Sequence, residues 1–396
     1  MLSFGKVRVS YAEVGQAERY LLNYFTSPNY GGGFWGSTPV QYPIGGLNSY
    51  LSNNVQYDPE LVPQNTQTYE VGAELKFFNN RLGIDYSYSH QLITDQIFQV
   101  PIAASTGAAA LVTNAGEIQT NAHEIMLYAN PVSIQGFNWD FTVNFSKIDN
   151  QVNELAEGVE SIFLGGFVTP QVRAGIGNTF PVIYGSSFLR DDNGNILVYD
   201  APGEWYHGMP QEGGSKVIGE VSPDFILGFS NKFSYKSLAL TATLDWKSGG
   251  QMYSGSNGLL DLYGVSALSG DRESTFIFDG VKEDGTPNDI VRGGENDPEA
   301  YQDLLTNVLT NIDEYYIHDN SFVKLREITL SYQLPKSLMK NVSLGVSVYA
   351  RNILLWTELP NFDPETSQGN NNMGGSFERL SMPQTTSYGF GINLNF

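Results

Sequence analysis

The chain has 396 residues, no Cys, and 42 acidic against 21 basic residues, for a formal net charge of −21. Zero Cys excludes a disulfide framework and a Cys-ligated zinc site, and the acidic balance excludes nucleic acid as a partner, because a phosphate backbone needs a basic face. The mean hydropathy is −0.22 and no run of 18 apolar residues occurs, which excludes a helical membrane protein. A strand that crosses a bilayer alternates, so its apolar half is hidden in any such average.

Met1–Lys6 has no basic region, apolar core or small-residue cleavage site of a signal peptide. A strand starts at once, with Val7, Val9 and Tyr11 on one face and Arg8, Ser10 and Ala12 on the other. The same alternation returns at Ile84, Tyr86 and Tyr88; at Phe137, Trp139, Phe141, Val143 and Phe145; and at Leu238, Leu240, Ala242, Leu244 and Trp246. It continues at Ile328, Leu330, Tyr332 and Leu334, and at Val342, Leu344, Val346 and Val348. The chain closes on Tyr388, Phe390, Ile392, Leu394 and Phe396, spaced by Gly389, Gly391, Asn393 and Asn395. An apolar aromatic as last residue suits a strand that faces lipid. The ending resembles the C-terminal signal by which outer-membrane barrels reach their assembly machinery. Gly389 departs from that pattern, because a polar residue is more usual there.

These segments approach the ~10 residues that a tilted strand needs to span a bilayer. A soluble β-sandwich would explain any one of them, but not strands this long with Asp140 and Asp245 on their polar faces. The fold read from the pattern is all-β: an antiparallel, up-and-down transmembrane β-barrel. Trp139, Phe141, Leu240 and Leu344 should face outward, and Asn144, Thr241 and Ser343 inward. Short connections at 78–81, 130–136, 235–237 and 335–341 alternate with long ones at 15–63, 151–222, 253–320 and 357–384. The short set is periplasmic by the rule for such barrels, and the long set extracellular. The strands number about eleven or twelve, the uncertain ones lying in 160–200. Glu327, Arg351 and Asp245 point inward. Lys324 and Arg326 share the face of Ile328, which places them above the membrane, where that face leaves lipid.

Nothing points to catalysis. His90, His123, His207 and His318 are scattered without metal-ligand spacing, and neither G-x-S-x-G nor H-E-x-x-H occurs. The reading is therefore no enzyme, no metal and no cofactor. Arg190–Asn195 looks like a calcium loop, but Ile196 stands where the Gly belongs, so an Asn-Gly turn is the better reading. The acidic stretch 279–297 reads as a solvated loop. The candidate substrate-binding residues are Tyr30, Trp35, Trp205 and Tyr206, with Phe34 beside them. Such aromatics either stack on sugar rings or pack small cores within their own loops, and packing carries the greater weight.

Several segments resemble the SusC/RagA family of TonB-dependent outer-membrane transporters. They are Val7–Gly15, Tyr69–Phe78 with Arg81–Tyr88, Asp319–Pro335, Val348–Ile353 and Phe362–Glu365, in the family's order and across nearly the whole chain. The resemblance implies a plugged barrel of about 22 strands. It implies uptake of oligosaccharides or peptides with a SusD-like lipoprotein as lid. It also implies outer-membrane lipid as surroundings, handover by the barrel assembly machinery, and energy from the TonB complex acting on an N-terminal box. No plug, box or signal peptide is found in 1–396, so the chain is expected to be the C-terminal portion of the barrel in a Gram-negative outer membrane. The alternative is a structural or adhesive outer-membrane barrel that presents its loops and transports nothing.

Overall fold

A period-two pattern cannot bury its apolar half in a helix, which would smear that half around the axis. In the computed structural model, which describes residues 2–17, 24–25, 29–30, 40–41, 43–48, 51–52, 54–270, 272–335, 343–369 and 374–395, the alternating segments form one antiparallel sheet. Its strands are β1 (Leu2–Gln16), β2 (Gln64–Phe77), β3 (Leu82–Thr94), β4 (Gly116–Ile134) and β5 (Phe137–Leu155). They continue as β6 (Phe225–Tyr235), β7 (Leu238–Ser248), β8 (Phe322–Gln333), β9 (Ser343–Thr357) and β10 (Ser387–Asn395). Each lies beside the next in chain order. Among the described residues β1 and β10 do not pair, so the sheet is a partial barrel wall with two open edges.

The described wall has ten strands rather than eleven or twelve. The segments in doubt, Ser161–Gly166, Gln171–Gly175 and Val182–Phe188, join Glu212–Glu220 in a separate four-stranded sheet. Five to seven residues are too few to cross a bilayer, which needs about nine. Val172, Ala174, Val182 and Ile183 are fully enclosed instead of alternating with a lipid face.

Cross-strand register stacks the apolar residues of the wall in rows. One row is Phe137, Tyr235, Leu238, Tyr332, Val346 and Ile392; the next is Trp139, Phe233, Leu240, Leu330, Val348 and Phe390. The uppermost is Phe145, Leu227, Trp246, Val323 and Trp356. Eight residues of β5 separate Phe137 from Phe145, about 27 Å along a strand and roughly 20 Å of height at a ~40° tilt. That approaches the ~25 Å apolar band of outer-membrane barrels. Aromatics mark both borders: Trp139 stacks on Phe233 at 5.6 Å below, and Trp246 meets Phe225 edge-on at 5.1 Å above. None of Trp139, Leu240 and Leu344 is buried, which removes the sandwich alternative.

At one end the described connections are tight: 78–81, the pair Gln135–Gly136, and the pair Lys236–Ser237. The second is shorter than expected. β4 runs on to Ile134 through an irregularity between Ala129 and Val132, where Pro131 interrupts the ladder. The long connections at the other end include 95–115, which the pattern did not reveal. They carry the hydrophobic cores of the molecule. One gathers Phe98, Ile118, Val152, Leu155 and Ile162 above the tops of β4 and β5. A second packs Phe188, Met209, Leu304, Leu305, Leu309 and Ile312, and a third Val172, Ile183, Val221 and Phe377. The wall thus meets lipid directly, while the loops form a packed cap above it.

Candidate functional site

The inner face of the wall is built from the residues between the apolar rows. Lys6, Glu74, Asp85, Met126, Asn144, Gly228, Asp245 and Lys324 follow one another across eight strands. A cavity of about 510 Å³ lies on this face, lined by Arg8, Asp85, Glu124, Asn144 and Asp245 among others. Arg8 Nη1 donates to Asp85 Oδ2 at 3.1 Å, reaching over β2 at Gly72. A Cβ on Gly72 would sit 2.8 Å from the Arg8 guanidinium, so the glycine clears the way for this ion pair.

Lys324 and Arg326 are placed on the inner side, against the expectation that they share the outward face of Ile328. The cause is a bulge: Leu325 and Glu327 pair with the adjacent Leu244 and Thr243 of β7, which leaves Arg326 as an extra residue in β8. Above it Leu325 pairs with Leu244 and Leu354, and Lys324 pairs with Asp245. The Lys324 ammonium is 3.3 Å from both oxygens of Asp363, 2.8 Å from Glu365 Oε2 and 3.2 Å from Gln384 Oε1. Arg326 donates to Asp245 Oδ2 at 2.6 Å and bridges to both Glu365 oxygens. This network pins the 358–386 connection to the upper rim of the wall. Burial raises the Glu365 carboxyl, but hydrogen bonds from Arg326 and Lys324 outweigh it and hold the group down at about 2. Glu327 does point inward, paired with Arg351 at 2.7 Å.

The cap carries an open aromatic cleft of about 410 Å³ lined by Tyr199, Trp205, Tyr206, Pro210, Glu212, Asn307, Val308, Asn311 and Ile312. Two candidate residues, Trp205 and Tyr206, therefore meet at one site. Tyr206 packs against the Phe188–Ile312 core, as expected of a loop aromatic, whereas Trp205 is 49% exposed. The rings of Trp205 and Tyr206 stand edge to face at 5.5 Å, and Tyr199 meets Tyr206 at 4.8 Å. Arg292, itself paired with Asp297 at 2.6 Å, donates to the Trp205 carbonyl at 2.8 Å and holds the turn in place. Asn307 and Asn311 escaped sequence reasoning, since no periodic pattern reports on a loop.

The other site residues divide. Tyr30 lies in the short strand Asn29–Tyr30, and its side chain lies outside the description, as do Phe34, Trp35 and Phe396 altogether. Tyr388, Phe390, Ile392 and Leu394 lie along β10 opposite Ala350, Val348, Val346 and Leu344. The anomalous Gly389 faces Tyr349, whose ring would come within 2.4 Å of any Cβ there. Arg351 covers the same ring at 4.8 Å. Arg190–Asn195 is a turn in which the Asp191 carboxylate accepts from the amides of Asn193 and Asn195. In the 279–297 stretch Lys282 pairs with Asp289 at 2.5 Å.

No family model matches the chain. Among characterised proteins it is 24% identical to TonB-dependent receptor P3 of Formosa agariphila, over 88% of this chain and 35% of that one. It is 26% identical to TonB-dependent receptor P26 of the same organism, over 86% and 35%, and 22% identical to the TonB-dependent receptor SusC of Bacteroides thetaiotaomicron, over 100% and 38%. The fold matches that of the RagAB peptide transporter with a TM-score of 0.67 at 19% identity, covering all of this chain and 41% of that one. The chain thus spans a little over a third of the length of these relatives. These likenesses are to TonB-dependent receptors, SusC among them, and to the fold of a peptide transporter, and the sheet of alternating strands is part of an outer-membrane β-barrel of that kind.

Proposed function

We propose that the chain is the C-terminal wall and cap of an active importer of oligosaccharides or peptides. In this reading it works with a SusD-like lipoprotein as lid and draws energy from the TonB complex through polypeptide outside residues 1–396. The observation that carries the reading is the inner face, where six of the eight residues in a row across eight strands are charged or polar, together with an aromatic cleft in the cap. A barrel that only displays loops has no use for a charged concave face of this extent. Relatives described as TonB-dependent receptors, and the fold of a peptide transporter, support it.

The test is uptake. A strain lacking the gene should fail to accumulate fluorescent oligosaccharides or peptides, and the full-length gene should restore accumulation. Dissipating the inner-membrane proton gradient should abolish it. Unchanged uptake in the deletion strain across such a panel would leave the loop-presenting barrel as the better account.

A further inference from the structure

The cleft of the cap has features that the import reading does not require. Trp205 is half exposed and outside every buried cluster, although it stands on a turn made rigid by the bonded Arg292. No described residue hydrogen-bonds to its indole nitrogen, to the hydroxyls of Tyr199 and Tyr206, or to the Glu212 carboxylate. Asn307 and Asn311 each donate one amide N–H, to Asp303 Oδ1 and to the Asn307 carbonyl, both at 2.8 Å, which leaves the other N–H and the side-chain oxygen of each for a ligand. The cleft therefore offers an aromatic surface ringed by donors and acceptors, within the ~300–1,000 Å³ span of ligand pockets.

Much of the main chain of the turn beneath the cleft is already paired. Tyr199 N–H donates to the Met209 carbonyl at 2.9 Å, Gly208 N–H to Tyr199 at 2.8 Å, and Met209 N–H to Tyr206 at 3.0 Å. An extended peptide is held chiefly through main-chain bonds to a free strand edge, and this turn offers none. The charged lining residue is the Glu212 carboxylate, which opposes an anionic ligand.

We propose that this cleft binds an uncharged glycosyl unit, with Trp205 as stacking platform and Tyr199, Asn307, Asn311 and Glu212 engaging its hydroxyls. The inference rests on the import reading and names its substrate class: a neutral saccharide, captured on the cap before it reaches the lumen.

The experiment uses the full-length protein in detergent, titrated by calorimetry and tryptophan fluorescence. The probes are neutral gluco-, manno- and xylo-oligosaccharides, polyuronate oligomers and short peptides. A neutral oligosaccharide should bind, Trp205→Ala should weaken it about tenfold or more, and Trp205→Phe should keep part of the affinity. Asn307→Ala, a surface change that touches no core, should weaken it less. The proposal is overturned if no neutral saccharide binds, if one binds equally well to Trp205→Ala, or if only polyuronates or peptides depend on Trp205. Saccharide binding that requires Trp205, in cells that show no energised uptake, would overturn the import reading and uphold the cleft.

Discussion

The Lys324 ammonium sits 3.3 Å from both carboxylate oxygens of Asp363, and the two side chains are only 3% and 6% exposed. A charge so enclosed is tolerable only while its partners remain, and breaking such a pair from one side costs about 3–5 kcal/mol. Lys324→Met should therefore free the 358–386 connection from the rim. Limited proteolysis of intact cells should cut that segment in the variant and spare it in the parent. Adding Asp363→Leu to Lys324→Met should recover part of the protection; continued resistance of the single variant would refute the latch.

The same network predicts a response to acid. The Glu365 carboxyl is held at about 2 against an ordinary 4.5, because the bonds from Arg326 and Lys324 outweigh burial. A group depressed in the folded state contributes its stabilisation above its unfolded value and loses it as pH falls through the folded one. Hydrogen exchange at 358–386 should thus be flat at neutral pH and rise between pH 4.5 and 2. Glu365→Gln should flatten that rise.

Facing is testable at neighbouring residues of β8. Ile328 belongs to the outward set near mid-height, and Thr329 to the inward set. Ile328→Arg should destabilise the wall by about 2–4 kcal/mol, while Thr329→Arg costs little. Urea unfolding of the full-length protein in lipid vesicles reads the difference, and equal losses would contradict the assigned faces.

Gly389 gives a fourth test. Its lack of a side chain admits the Tyr349 ring, so Gly389→Val should force that ring and the Arg351 above it to move. Assembly into the heat-modifiable form should slow in pulse-chase. Tyr349→Ala should restore the rate in the Gly389→Val background, whereas an unrescued defect would point to the strand ending itself.

The wall was legible because each strand needs only a period of two, as in Phe137–Phe145, and that period is local. The cap was not, because its cores join residues far apart, such as Phe98 with Val152 and Ile162. Strand length was the missing criterion in 160–200, where short enclosed strands resemble wall strands in composition. At the cleft the sequence named both aromatics but not their surroundings: Trp205 and Tyr206 are neighbours, yet one is open and the other packed. Gly389 read as an exception because its explanation, Tyr349, lies on the adjacent strand.

The bulge at Arg326 has the character of a frame shift in space. Below it odd-numbered residues of β8 point inward, and above it they point to lipid, so one extra residue lets a single strand keep both Glu327 and Lys324 inside. Deleting Arg326 would take out the extra residue itself: Lys324 and Glu327 would then stand two positions apart on one face of a regular strand, and only the bonds from Arg326 to Asp245 and Glu365 would be lost. Ironing the bulge flat with Arg326 in place would instead drive either Lys324 into hydrocarbon or Ile328 and Leu330 into the lumen. For this strand the place where one unpaired residue is tolerated decides what every residue beyond it faces.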